Sequence, residues 1–152
     1  MDEKPDILNI IGDTYNSSER PFDFLELGVE TAALCESDPD RRQFLVDALK
    51  GMGYAVSEMK SADDALRQIY NHSFSVVVVN ESFDNQNAGK ILDYLGEIPI
   101  SMRRNSFVIL LGKNVRTMDK LAAFQNSVNL TINEQDLEKI GLITTAEIAE
   151  HK

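Results

Sequence analysis

Three polar residues that could do chemistry directly follow a run of four valines, Val76–Val79. The run is typical of a strand buried on both faces, as in a parallel sheet covered by helices. It ends in Asn80, Glu81 and Ser82. Because open parallel sheets bind ligands just beyond the carboxyl ends of their strands, these residues mark a candidate site. The amide of Asn80 stands where a reactive group would be expected.

A second polar group follows the apolar run 31–35 and consists of Glu36, Ser37 and Asp38. With Asn80 and Glu81, its carboxylates could form a metal or small-ligand site, because magnesium and calcium prefer oxygen ligands. The alternative is structural: Asp38 caps a helix, Asn80 binds loop backbone groups and the two glutamates are solvated. We favour this alternative, because one acidic anchor without a substrate phosphate is a poor magnesium cage. The sequence therefore predicts neither a metal nor a cofactor.

The single cysteine and the two histidines are predicted to be structural. Cys35 ends the apolar run, and neither His72 nor His151 is placed beside it, so we expect a small core residue rather than a nucleophile. One cysteine excludes an internal disulfide and a multi-cysteine zinc site. Both histidines stand in polar stretches and are expected at the surface. Without a nucleophile–base pair or a cofactor motif, the sequence argues against an enzyme.

Two polar segments were weighed as binding sites. The segment "GDTYNSSERP" (12–21) lacks both a phosphate-cradling glycine pattern and a P-loop lysine, so it does not predict nucleotide binding. The segment "SMRRNS" (101–106) concentrates positive charge before a buried strand. It is either an ordinary solvated loop, which we favour, or a docking point for an acidic partner.

The elements that must position these residues follow from hydrophobic periodicity. Strand-like runs occur at 31–35, 54–59, 76–79, 106–112 and 128–132, and helix-like stretches at 41–53, 61–70, 88–98, 117–127 and 133–152. Strands that alternate with helices across long crossovers predict an α/β fold with a doubly wound, five-stranded parallel sheet. The three most apolar strands should be central.

The last helix is predicted to pack through residues at three-residue spacing, namely Leu137, Ile140, Ile143 and Ala146. Gly141 weakens this helix by about 1 kcal/mol relative to alanine. A helix end that is both apolar and loosely held is a reasonable surface for a partner. We therefore expect any association, including a homodimer, through the last two helices and the fifth strand.

Residues 1–30 fall outside the alternating pattern and form an N-terminal extension to the domain at 31–150. Thirty residues cannot build a core of their own. Phe22, Phe24, Leu25 and Leu27 are too apolar to be left in water in so short a stretch. We expect an arm that packs on the domain or on a partner chain.

Composition limits the partners. The chain has 152 residues, enough for one domain, and a net charge of −10. This charge argues against nucleic acid and against an anionic membrane surface as partners. No apolar run approaches the ~20 residues of a membrane span, and the acidic start "MDEKPD" does not resemble a signal peptide. A soluble cytoplasmic protein is the simplest expectation.

Over about residues 31–150, the chain resembles the receiver domain of bacterial two-component response regulators. The resemblance rests on element order and on local matches that include "LCESDPDRRQFLVDALKGMGYAV", "FSVVVVNESFDN", "SFVILLGKN" and "VNLTINEQDL". It implies the flavodoxin-like receiver topology. In that family an aspartate after strand three accepts a phosphoryl group, and two acidic residues after strand one hold magnesium. A threonine or serine after strand four and a lysine after strand five contact the phosphoryl group.

This sequence departs from the family pattern at nearly every one of those positions. Asn80 replaces the acceptor aspartate, and a neutral amide is no nucleophile for phosphorus. The remaining departures are Ser37 for the second acid, Gly112 for the hydroxyl residue, Ile132 or Asn133 for the lysine, and Asn129 near the aromatic switch position. Glu36 keeps the first acidic position, and Lys113 could reach the site from a neighbouring loop. The resemblance thus implies a degenerate receiver, or pseudo-receiver.

Two functions fit a degenerate receiver. The first is an interaction module in bacterial signal transduction that binds a protein partner without being phosphorylated. The second is a small-ligand sensor that reuses the pocket around Asn80.

Overall fold

Five short strands form one parallel sheet at the centre of the computed structural model, which describes residues 29–151. They are β1 (Thr31–Cys35), β2 (Ala55–Glu58), β3 (Val76–Asn80), β4 (Phe107–Gly112) and β5 (Leu130–Asn133). The strand order is β2-β1-β3-β4-β5, and every neighbouring pair is parallel. The predicted α/β fold with a doubly wound sheet is confirmed, and the three most apolar strands are central.

Helices cover both faces of the sheet, because alternate residues of each central strand point to opposite sides. The helices are α1 (Pro39–Gly51), α2 (Ala62–Asn71), α3 (Ala88–Glu97), α4 (Lys120–Gln125) and α5 (Ile140–His151). Val77 and Val79 pack in the layer of α2, α3 and α4. Val76 and Val78 pack in the layer of α1 and α5. Burial on both faces explains why β3 is a continuous valine run.

Side-chain caps begin the helices where the sequence predicts them. The carboxylate of Asp38 accepts the backbone N–H of Arg41 at 2.9 Å, directly before Pro39. The Ser61 hydroxyl accepts the N–H of Asp64 at 3.0 Å, and the Asp64 carboxylate accepts the N–H of Lys60 at 2.9 Å. This reciprocal capping box fixes the start of α2 behind β2.

The fourth helix is shorter than its periodicity predicts. It begins only at Lys120, because the Asp119 carboxylate caps it through the N–H of Ala122 at 3.1 Å. The residues before the cap belong to a loop, in which Met118 has a left-handed backbone (φ 60°) and donates its N–H to the Thr131 carbonyl at 2.8 Å.

The predicted inward face of the last helix is wrong in one residue. The segment opens as a 3-10 turn at Glu134–Lys139, and α5 then packs through Ile140, Ile143, Thr144 and Ile148. Ala146 is exposed. Each three-residue step falls about 60° short of a full α-helical turn, so residues at strict three-residue spacing drift off the buried face.

The strand order reverses direction between β1 and β3, and the carboxyl ends of these two strands form the crevice where such sheets bind ligands. Glu36 follows β1 there, and Asn80 ends β3. The predicted N-terminal arm, apart from residues 29 and 30, lies outside the described residues. Within residues 29–151, no helix has both the length and the apolar character that crossing a membrane requires.

Candidate functional site

The side chains of Glu36 and Asn80 meet in the crevice between β1 and β3. The strands place them together, because Cys35 is paired with Val79 in the sheet register. Asn80 donates an N–H from Nδ2 to Glu36 Oε1 at 2.7 Å. Both side chains are buried, with Glu36 only 1% exposed and Asn80 0%. Glu36 is therefore not the solvated residue that the structural alternative in the sequence analysis assumed.

Two residues that the sequence analysis did not single out complete this cluster. Asn80 donates its second N–H to Glu134 Oε2 at 2.9 Å. Arg41 lies between the two glutamates, with Nε 3.2 Å from Glu36 Oε1 and one terminal nitrogen 3.6 Å from Glu134 Oε1. Arg41 stands in the first turn of α1 and Glu134 directly after β5. Two signals in the sequence could have identified these residues: Glu134 follows a strand end, and Arg41 stands at a helix start.

The charges of the cluster hold Arg41 as a cation. Partial desolvation lowers the pKa of its guanidinium, but the attraction and hydrogen bond of Glu36 outweigh this effect, with help from Glu134 and Asp38. The pKa of Arg41 therefore lies above its ordinary value. A half-buried arginine between two carboxylates supplies the positive charge that this crevice requires.

The polar atoms of the Asn80 side chain are all engaged. Its oxygen accepts two hydrogen bonds from Ser82, one from the backbone N–H and one from the hydroxyl, both at 2.9 Å. Its nitrogen uses both protons on the glutamates. Asn80 thus binds the loop backbone, as the structural alternative predicted, and it also binds the carboxylates of Glu36 and Glu134.

The remaining acidic side chains around the crevice are also engaged with the backbone. Glu36 Oε2 accepts the N–H of Asp38 at 3.0 Å, in addition to the Asp38 cap of α1. Asp84, in the loop after β3, accepts the N–H of Ala62 at 2.9 Å and so ties this loop to the start of α2. The Ser37 hydroxyl accepts the N–H of Asp84 at 3.0 Å. Ser37 thus joins the loops after β1 and β3.

Gly112 makes room for Glu81 at the end of β4. A Cβ atom at position 112 would lie 2.4 Å from Cδ of Glu81, closer than atoms can approach. Glu81 uses this space to reach the N–H of Asn114 at 2.9 Å. Position 112 therefore has no hydroxyl side chain, and Glu81 occupies the space that such a side chain would fill.

The structure places the β5 candidates apart from one another. Ile132 is fully buried in the α1 and α5 layer, so it does not face the crevice. Asn133 is the residue paired with Gly112, and its Nδ2 donates to the carbonyls of Lys113 at 3.2 Å and Val115 at 2.8 Å. The side chain of Lys113 is exposed.

Asn129 lies at the amino end of β5, opposite the crevice. Its oxygen accepts the N–H of Val108 at 2.8 Å and an N–H of Arg103 at 2.9 Å. Arg103 also donates to the carbonyls of Ser106 at 2.7 Å and Ser127 at 2.8 Å. Burial lowers the pKa of Arg103. One of the two arginines of "SMRRNS" is thus held within the fold, and Arg104 is exposed.

The donor set of the crevice does not fit magnesium. A magnesium site needs carboxylate oxygens that point into a shared space. Here Glu36 uses both oxygens on Arg41, Asn80 and the N–H of Asp38, and Glu134 uses both on Asn80 and Arg41. Across residues 29–151, no group of three or more His, Cys, Asp or Glu side chains is arranged to hold a metal ion.

The other sequence candidates lie away from the crevice or are inert. Cys35 is fully buried, and desolvation raises the pKa of its thiol. This agrees with a core residue, because the reactive form is the thiolate. His72 is half-buried rather than at the surface, and burial lowers its pKa to about 4. The side chain of His151 lies outside the described part of the chain.

Comparison with solved structures identifies the fold. A chain named as a response regulator from Chloroflexus aurantiacus matches with a TM-score of 0.66 and 17% identity over 80% of this chain and 98% of that one. The response regulator DrrB from Thermotoga maritima matches with a TM-score of 0.65 and 17% identity over 82% of this chain and 54% of that one. The CheY-like receiver domain from Methylobacillus flagellatus gives a TM-score of 0.61 at 13% identity, over 78% and 98%.

Sequence comparison adds no closer relative: no protein-family model matches, and the search of curated proteins finds no match. The strand order, the layers of helices and these structural matches agree with one another. The described part of this chain therefore has the CheY-like receiver fold of response regulators.

Proposed function

We propose that this protein is a receiver-like module that acts in bacterial signal transduction without being phosphorylated, by binding a protein partner in the cytoplasm. The fold supports the signalling context, because the solved structures that it resembles are named as response regulators and receiver domains. The chemistry of the crevice supports independence from phosphorylation. On this proposal the protein is not an enzyme.

The side chain of Asn80 carries the proposal. At the acceptor position of a receiver, phosphorylation requires an accessible carboxylate oxygen that can attack phosphorus. Asn80 presents a neutral amide with 0% exposure, and its oxygen and both N–H groups are hydrogen-bonded inside the protein. The nearby carboxylates of Glu36 and Glu134 are held by Asn80 and Arg41.

Because of Arg41, the charge balance of the crevice does not depend on a bound metal ion or phosphoryl group. In an active receiver, a metal ion and a phosphoryl group enter the site and change its charge. In this protein the compensating cation belongs to the chain itself and lies 3.2 Å from Glu36. The loops after β1 and β3 are tied together through Ser37 and Asp84. We infer that the site holds the domain in one fixed state.

We expect no covalent phosphorylation when the purified protein is incubated with acetyl phosphate and magnesium. Intact-mass spectrometry would check this, with an active receiver domain treated in parallel to show that the donor works. The physical reason is that the amide of Asn80 cannot attack phosphorus. A one-phosphoryl mass increase that disappears in Asn80→Ala would contradict the proposal.

The exposed apolar residues of α4 and α5 suggest where a partner binds. Phe124 is 83% exposed, Leu121 66% and Leu142 78%, and Met118 adds to them. Large apolar side chains with this exposure on neighbouring segments of the chain are candidate contacts for another molecule. On this proposal, association uses the last two helices and β5. A protein partner or a second copy of this chain would cover this surface.

We expect the double variant Leu121→Gln, Phe124→Ser to weaken association at least about tenfold, because exposed aromatic and aliphatic anchors dominate binding energy. Analytical ultracentrifugation would measure a homodimer, and titration calorimetry a complex with an isolated partner. The free energy of unfolding should change by no more than about 0.5 kcal/mol, since both side chains are already exposed.

Ile100→Gln is a matched control for the α4 surface, because Ile100 is 79% exposed but lies in the one-turn helix Ile100–Arg103, outside α4 and α5. This variant should leave association unchanged. Equal weakening by the control and by the α4 double variant would show that the α4 surface is not the interface. The charge-reversing pair Lys120→Glu, Lys139→Glu offers a second test, because both lysines are exposed.

The alternative, a small-ligand sensor built around Asn80, has less support. A ligand would have to displace the hydrogen bonds that Asn80 makes to Glu36 and Glu134, and it would have to reach a side chain without solvent exposure. Leaving two carboxylates without their donor is costly in a buried setting.

A further inference from the structure

A groove lies at the amino end of the sheet, opposite the Asn80 crevice. It has a volume of about 250 Å³. Its walls come from the ends of α2 and α3 and from the one-turn helix Ile100–Arg103, and they include Tyr70, Ser73, Tyr94, Ile98, Met102 and Arg103. An engineered apolar cavity of about 150 Å³ accepts a benzene molecule, so this groove has room for an aromatic side chain.

The chemistry of the groove favours an apolar ligand that carries negative charge beside it. Tyr70 is 73% exposed and Met102 56%, although both are large side chains with apolar bodies. Arg103 lines the same groove, and the exposed Arg104 follows it in the chain. An occupant with alternating apolar and acidic residues would bury the apolar walls and bring its acids toward the exposed Arg104.

The chain itself enters the fold beside this groove. The N–H of Ser75 donates to the carbonyl of Thr31 at 2.9 Å, so the start of β1 lies against the segment that leads into β3. Ser73, a wall residue, is two positions before Ser75 and therefore within roughly 7 Å of it along the chain. Whatever precedes residue 29 is attached close to the groove.

The sequence directly before that entry point has the required pattern. Residues 22–28 read "FDFLELG" and combine Phe22, Phe24, Leu25 and Leu27 with two acids, Asp23 and Glu26. These residues lie outside the described part of the chain. We propose that the segment 22–28 docks in the groove of its own chain, with its apolar residues against walls that include Tyr70 and Met102 and its acidic residues toward the exposed Arg104.

The covalent tether favours this occupant over others. A segment joined by a few residues meets its site at an effective concentration of about millimolar, which a separate partner seldom reaches. The net charge of −10 would also make two copies of the chain repel each other at long range. Docking would place the predicted N-terminal arm at the end of the sheet opposite the crevice.

Disulfide trapping in the full-length protein tests the proposal. One variant carries Glu26→Cys with Asn105→Cys at the groove, and a matched control carries Glu26→Cys with Gln125→Cys at the end of α4. Asn105 and Gln125 are both exposed, so neither change should disturb folding. The native Cys35 is buried and its thiol pKa is raised, so it should not interfere.

Under mild oxidation, the groove pair should form an intramolecular disulfide at least about tenfold faster than the control pair, as expected when docking raises the local thiol concentration. Adding Phe22→Ser and Phe24→Ser should abolish that difference, because the anchoring rings are gone. Equal rates for the two pairs would overturn the proposal. A disulfide that forms only between two chains would also overturn it, and would identify a second copy as the occupant.

Discussion

Replacing Asn80 with aspartate is expected to lower the free energy of unfolding by about 3–5 kcal/mol at pH 7, the range for an uncompensated buried charge. The substitution removes both N–H donors to Glu36 and Glu134 and adds a third carboxylate beside them. Arg41 is the cation that the structure places between the glutamates, and it cannot neutralise three negative charges. Urea denaturation would measure the loss.

The loss should depend on pH in a defined direction. Burial and like-charge repulsion raise the pKa of the new aspartate in the folded state above the ~3.9 of the unfolded chain. A raised folded-state pKa means that the penalty is absent below about pH 4, grows as pH rises from there to the folded-state value, and is fully present above it. Toward pH 4, Asn80→Asp should therefore approach the stability of Asn80→Ala, because the charge penalty is gone but the two N–H donors of Asn80 are still missing.

Asn80→Ala is the control that separates charge from lost hydrogen bonds. It removes the same two donors but adds no charge, so it should cost less, about 1–3 kcal/mol. If Asn80→Asp is no less stable than Asn80→Ala at pH 7, the electrostatic explanation is wrong. Asn80→Asp should also fail to act as a phosphorylation switch, because the second acid, the hydroxyl and the lysine are still missing and such parts act as a unit.

The second large effect is expected for Arg41→Gln, which should destabilise the protein by about 2–4 kcal/mol, because it leaves the buried Glu36 without a cation. Glu36 is 1% exposed, so water cannot replace the guanidinium without an opening of the crevice. Thermal or urea unfolding would measure the change. The double variant Arg41→Gln, Glu36→Gln should recover part of the loss, because it removes the uncompensated charge as well.

Arg42→Gln provides a matched control one residue along the same helix. Arg42 forms an exposed ion pair with Glu58 at 3.4 Å and makes two long hydrogen bonds to backbone carbonyls. Pairs of this kind contribute about 0–1 kcal/mol. Similar losses for Arg41→Gln and Arg42→Gln would show that the Arg41 cluster has no special role in stability.

Hydrophobic periodicity in the sequence was sufficient to predict the sheet and its layers. The valine run of β3 and the apolar β4 had to be central, because a strand that is apolar on both faces must be covered on both faces. The cap at Asp38 located the start of α1, because a side-chain acceptor there satisfies free backbone N–H groups. Periodicity and helix caps depend only on residues that are close together in the chain. They can therefore be recognised from the sequence alone.

The composition of the crevice was predictable only in part. Strand ends on either side of the switch point placed Glu36 and Asn80 together. The burial of Glu36 was not foreseen, because a glutamate after a strand is usually solvated. It becomes possible only with Arg41 and Asn80 at hydrogen-bonding distance.

The tertiary structure alone decided which distant side chains meet. Glu134 is 54 positions from Asn80, and its contact depends on strand order and on the direction in which the 3-10 turn leaves β5. Likewise, Gly112 reads in the sequence as a lost hydroxyl, whereas in the fold it is the space that Glu81 fills. Periodicity reports whether a position is buried, but it carries no information on which polar group will face it across the sheet. That choice follows from backbone geometry, which fixes the donor and acceptor distances only once the strands are assembled.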